Sequence, residues 1–313
     1  MKYRFMALLT AVFLSFSAST AVYAQSMDQS LLAQEEQTQE EGQDQNTEES
    51  EIQQVVAFGA DLSAEQKQTV MEAFGLDEAS LSGIDVITVT NAEEHEYLDS
   101  YLSSSVIGTR ALSSVYVTKE SKGHGLDIST SNINYCTISM YKNALITAGL
   151  EDATVVVAGP TQISGTAALI GCAKAYSEMT GEQISEEGLD AAADELVTTG
   201  EIGEAIGNAD DAAELIAYLK QYMIENDLND EASISEEVQK RAGELGYELT
   251  DDEVAQITSL LMKISKLDID VNALKEQAKD IFNALDLNNG SASGGFSGIV
   301  QSILSFFKGL FHR

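Results

Sequence analysis

His95 and Glu96, within TNAEEHEYLD at residues 90–99, stand in the order that opens the zinc-protease helix signature His-Glu-x-x-His. In that signature two imidazoles one turn apart hold the metal, and the glutamate works on a bound water. Here Asp99 occupies the place of the second histidine. What remains is a polar pair between His95 and Asp99 across one turn, so no metal ligand is assigned. Of the three histidines, His124 lies in the glycine-flanked SKGHG and reads as an exposed turn, and His312 belongs to the final segment. Ser164, in QISGTAAL, lacks the second glycine of a nucleophile elbow and has no neighbouring base. No catalytic residue is therefore assigned, and no cofactor is expected.

The stretch GPTQISGTAAL, which carries the only proline, Pro160, does read as a strand-to-helix connection. Amides at a helix start can hold an anion, and hydroxyls add donors. Arg110, in IGTRALSS just before a strand, is one of few cations. If the two loops converge, Arg110, Ser164, Gly165 and Thr166 form a small-anion site. The same residues also serve as plain helix caps. Cys136 and Cys172 are the two cysteines. Outside the cytoplasm an even count permits one disulfide, and burial as small hydrophobes suits them equally.

Charge narrows the field of functions. With 51 acidic and 17 basic residues the chain carries a net charge of −34, which excludes nucleic-acid binding by phosphate neutralisation. No D-x-D-x-D-G loop is present, so the acidity is read as solubility and not as calcium storage. Lys2 and Arg4, an apolar run from Phe5 to about Phe16 and the small residues of AVYAQS form a secretory signal peptide ending at Ala24. The expectation is an exported protein, extracellular or peripheral on the outer face of the cell membrane.

The elements that must position these residues follow from periodicity. Residues 25–53 are rich in Gln and Glu, without Lys, Arg or an aromatic ring, and are read as an acidic disordered tether. Residues 54–180 alternate between strand-like and helix-like patterns. Ser63-x-x-Gln66 and Thr90-x-x-Glu93 are capping boxes that open helices. IDVITVT is a β-branched strand, and ALSSVYVTK with GLDISTSNI predicts a hairpin around ESKGHG. A helix in MYKNALITAGL, the strand TVVVA and a helix from Thr166 to Met179 complete a βαββαβ succession. The fold class is α+β, a layered sheet domain with a ferredoxin-like segment, followed by an all-helical half over 184–287. Thr198-x-x-Glu201, Ser233-x-x-Glu236 and Thr250-x-x-Glu253 are further capping boxes there.

Residues 288–295, NNGSASGG, predict a flexible linker. It leads to an amphipathic helix over 296–313, whose stripe is Phe296, Ile299, Val300, Ile303, Leu304, Phe307, Leu310 and Phe311. This stripe suits a membrane surface, an envelope partner or a groove on its own domain.

FGADLS, TVTNAEEHEYL, IGTRALSSVYV, MYKNALITAGLEDATVVVAGP, ISGTAALIGCAKAY and ELVTTGEIGEAIGN together resemble the YpuA-like family of exported Gram-positive bacterial proteins, over about residues 54–285. The resemblance implies export and a shared α+β-plus-helical body. It brings no activity and no site residue. Two functions are carried forward: a non-enzymatic envelope binding module acting through 296–313, and a small-anion receptor or enzyme using the Arg110 and Ser164/Thr166 loops.

Overall fold

The computed structural model describes residues 53–267 and Ile269. The signal peptide, the acidic tether apart from its last residue, the 288–295 linker and the 296–313 stripe lie outside the described residues. Strands β1 (Gln54–Gly59), β2 (Asp85–Val89), β3 (Ser114–Lys119), β4 (Leu126–Ile133) and β5 (Ala153–Ile163) form one sheet in the order β2-β1-β3-β5-β4. β1 runs parallel to β2, β3 is antiparallel to both β1 and β5, and β4 is parallel to β5. The helices are α1 (Ala64–Phe74), α2 (Asn91–Leu98), α3 (Ser104–Ile107), α4 (Ile138–Thr147), α5 (Ala167–Thr180), α6 (Glu186–Ile206), α7 (Ala209–Glu225), α8 (Glu231–Glu244) and α9 (Asp251–Ile264). The chain thus has an α+β fold with helices in its C-terminal half.

The βαββαβ succession is present, but β3 and β4 do not form the expected hairpin, because β5 lies between them. VVVA in β5 is apolar on successive residues and suits a strand covered on both faces, whereas LDISTSNI in β4 alternates and suits an edge. The turn in ESKGHG does form, with the His124 amide on the Ser121 carbonyl at 3.0 Å, but the strands on either side of it are not neighbours. Asp152 Oδ1 accepts the Gly123 and Gly125 amides at 2.9 and 2.8 Å, and so seats the start of β5 between the two strands.

One face of the sheet, through Val55, Ala57, Val115, Val117, Val155 and Val157, packs with α4, α5 and α6. The other, through Val56, Phe58 and Ala158, meets Val70, Met71 and Phe74 of α1. Capping boxes at Ser63, Thr90 and Thr250 start α1, α2 and α9 as the sequence predicts. Thr198 and Ser233 start nothing. α6 runs unbroken through Thr198, which is buried, and α8 is capped instead by Asp230, whose side chain accepts the Ser233 amide. An amphipathic pattern marks where a helix can begin, and the packing of α6 on two sides overrides the mark.

α6 serves two cores. Leu189, Ala192, Ala193, Leu196 and Val197 join the sheet core, while Ala191 and Ile202 join the core of α7, α8 and α9. Across this junction Lys220 of α7 and Glu195 of α6 form an ion pair of 2.8 Å with both side chains fully buried. Lys220 Nζ also donates to Thr147 Oγ1 at 2.9 Å and to the Asn143 carbonyl at 3.2 Å, and Thr147 Oγ1 donates to Glu195 Oε2 at 2.5 Å. Removing one partner strands a charge in the interior. Lys220→Met should lower stability by about 3–5 kcal/mol, whereas the double replacement Glu195→Leu/Lys220→Met should recover most of the loss. Equilibrium urea unfolding of the three proteins checks this.

Candidate functional site

Where β2 and β5 end and β3 begins, the sheet edge opens into a cavity of about 180 Å³. Glu94 of α2, Val106 and Ile107 of α3, Arg110, Ser113 and the turn Ser164-Gly165-Thr166 line it. The loops bearing Arg110, Ser164, Gly165 and Thr166 do converge, and all four residues share this cavity.

The turn is fixed by main-chain and side-chain bonds together. The Asn134 and Cys136 amides donate to the Ile163 and Ser164 carbonyls at 2.9 and 3.1 Å. Tyr141 Oη donates to the Gly165 carbonyl at 2.6 Å. Gly165 has φ +93°, and a Cβ there would collide with the Tyr141 hydroxyl and the Ile133 side chain. Only glycine meets both conditions.

Thr166 is the N-cap of α5, yet its hydroxyl caps nothing. Oγ1 instead donates to Glu94 Oε1 at 2.5 Å and lies 3.2 Å from Ser164 Oγ. The bond with Thr166 places the chain's own carboxyl at the start of α5. It is 2 % exposed. Burial pushes its pKa above the ordinary carboxylate range, opposed by its bonds with Thr166 and Asn91, by the nearby His95 and by the Ala167 amide. Its second oxygen has only a long contact, 3.4 Å, from Asn91 Nδ2. Sequence reasoning missed Glu94. In TNAEEHEYLD it reads as an acid favourable to a helix start, and a spacing of 72 residues from Thr166 leaves no local signal.

Two more groups at the cavity stand out by what they lack. Ser113 is 3 % exposed, and its hydroxyl has no hydrogen-bond partner. Leaving such a group unmatched costs about 1–3 kcal/mol. Arg110 is exposed and forms no ion pair among the described residues.

His95 has both ring nitrogens engaged. Nδ1 meets Asp99 Oδ1 at 2.6 Å, and Nε2 meets the Gly108 carbonyl at 3.1 Å. A carboxylate and a carbonyl only accept, so the ring donates from both nitrogens and is an imidazolium. The bond to Asp99, and then that to Gly108, raises its pKa above 6.5. Its work is to tie α2 to the end of α3, whose Val106 and Ile107 wall the cavity. Among the described residues no group of three His, Cys, Asp or Glu side chains is placed to hold a metal ion. Cys136 and Cys172 are free, buried thiols. Burial pushes Cys136 up to about 12 and Cys172 higher still, so both keep their protons.

Comparison with known proteins fits this architecture to a family. The model of the family described as "Protein of unknown function (DUF1002)" matches residues 58–281. The chain belongs to that family. It is also 40% identical, over 263 residues, to the "Uncharacterized protein YpuA" of Bacillus subtilis (strain 168), covering 82% of this chain and 87% of that protein. No solved structure matches the chain.

The imidazolium of His95 sets a pH dependence. Its folded pKa is raised, so its stabilisation is complete below about 6.5 and is lost as pH rises through the higher folded value. An NMR titration should place the His95 midpoint above 6.5. The stability difference between the natural chain and His95→Ala should shrink as pH passes that midpoint.

Proposed function

We propose that this chain is an exported, non-enzymatic binding protein for a small molecule that presents an oxyanion to Arg110. The observation that carries the reading is the cavity itself, with a guanidinium left without an ion-pair partner among the described residues and a buried Ser113 hydroxyl left without a bond. The unpaired guanidinium is a group that a ligand completes. The absence of chemistry in the reactive side chains points the same way. His95 has no free nitrogen, the thiols hold their protons, and Ser164 Oγ contacts Thr166 and not a base.

Export rests on the charged and apolar order of residues 1–24. A second contact, with membrane surface or an envelope partner, rests on the helical spacing of Phe296 through Phe311. Among the described residues no helix is long and apolar enough to cross a membrane.

Thermal unfolding against a panel of small carboxylates, amino acids and phosphate esters tests the pocket. A member present at ~100 times its Kd should stabilise the chain by about 2.7 kcal/mol, and Arg110→Gln should abolish that gain. A panel without effect, or an Arg110→Gln variant that keeps the gain, would sink the reading. For the second contact, co-sedimentation with neutral and anionic vesicles should retain the chain from Gln25 to Arg313 and lose one ending at Gly290. Equal recovery of both in the supernatant would remove the membrane version.

A further inference from the structure

The proposed oxyanion leaves a second lining side chain of the cavity unexplained. Glu94 has one oxygen taken by Thr166 and the other met only by Asn91 at 3.4 Å. A simple anion filling the space would face this buried carboxyl as well as Arg110, and like charges at short range in the interior repel. The carboxyl is already held at the start of α5 by Thr166, where an incoming anion would otherwise bind. What complements the space is a ligand that carries a hydrogen-bond donor besides the group that Arg110 holds.

We infer that the cavity takes a small zwitterion of the amino-acid class, its ammonium group at Glu94 and its carboxylate at Arg110. The inference rests on the oxyanion reading of the Arg110 end and adds the partner for the other end. An ammonium group brings donors for the Glu94 oxygen that Thr166 leaves free. The cavity, of about 180 Å³, has room for a compact amino acid.

The test is calorimetric titration and thermal unfolding of the chain from Gln25 to Arg313 with three sets of compounds. These are the standard L-amino acids with β-alanine, the matching carboxylates without an amino group such as lactate and propionate, and inorganic phosphate. The expected result is binding by one or more amino acids, at least tenfold weaker binding by the matching carboxylates, and loss of that preference in Glu94→Gln. Carboxylates or phosphate that bind as well as the amino acids would overturn the zwitterion inference and leave the oxyanion reading standing. No binding in any set would overturn both. Glu94 also anchors α5, so Arg110→Gln supplies a second variant. It changes an exposed side chain without an ion pair among the described residues and should leave the ligand-free melting temperature unchanged while abolishing amino-acid binding. Unchanged affinity in Arg110→Gln together with unchanged preference in Glu94→Gln would count against the inference.

Discussion

A carboxyl held out of water needs donors, and Glu94 finds them 72 residues away at the start of α5. Without them the burial would cost several kcal/mol. With them, the second turn of α2 is fastened to the strand-to-helix connection after β5. The adjacent Glu93 extends the fastening. Its carboxylate closes the capping box with Thr90 and pairs with Lys174 of α5 at 2.5 Å, while Lys174 also donates to the Thr88 carbonyl at 2.6 Å. Two adjacent carboxylates thereby fasten one short helix to α5, and one of them, Glu94, lies in the cavity wall. Thr166 explains what was given up. Its hydroxyl is withdrawn from capping its own helix in order to hold Glu94.

The same economy of cations runs through the helical half. Lys263 of α9 pairs with Asp190 and Asp194 of α6 at 2.9 and 2.7 Å and donates to Tyr101 Oη at 2.6 Å, while Tyr101 donates to Asp190. Lys220 joins α7, α6 and α4 in the interior. In a chain with 17 basic residues against 51 acidic ones, Lys174, Lys220 and Lys263 each bridge elements distant in sequence. Arg110, by contrast, is exposed at the cavity with no carboxylate on it among the described residues.

Local grammar was legible and long-range pairing was not. Thr90 and Glu93 announce a helix start because both partners of the capping box lie within four residues, and the structure forms it. Thr198 and Glu201 have the same grammar and are overruled by the burial of α6 against two cores, which four residues cannot report. The β3–β4 hairpin was misread because proximity in sequence favours it, while the apolar VVVA run that displaces it lies a helix further on. The convergence of Arg110 with Ser164 and Thr166 could be guessed from two loops at strand ends. Glu94 could not, because nothing local distinguishes a glutamate that faces water from one that turns inward to a distant hydroxyl.

Net charge then bears on what such a cavity can select. At −34 the molecule's long-range field opposes the approach of a free anion, whatever a single guanidinium offers at contact. The field is screened beyond ~8 Å at physiological ionic strength, so the opposition acts mainly near the surface, where an anion must pass to reach Arg110. A molecule with no net charge feels no such barrier and can still present a full negative group to Arg110 once inside. Its positive end meets an acceptor at Glu94, where a simple anion meets repulsion. Strong overall acidity and a buried carboxyl work against a simple anion, yet both favour a ligand whose two charges cancel at a distance and separate at contact.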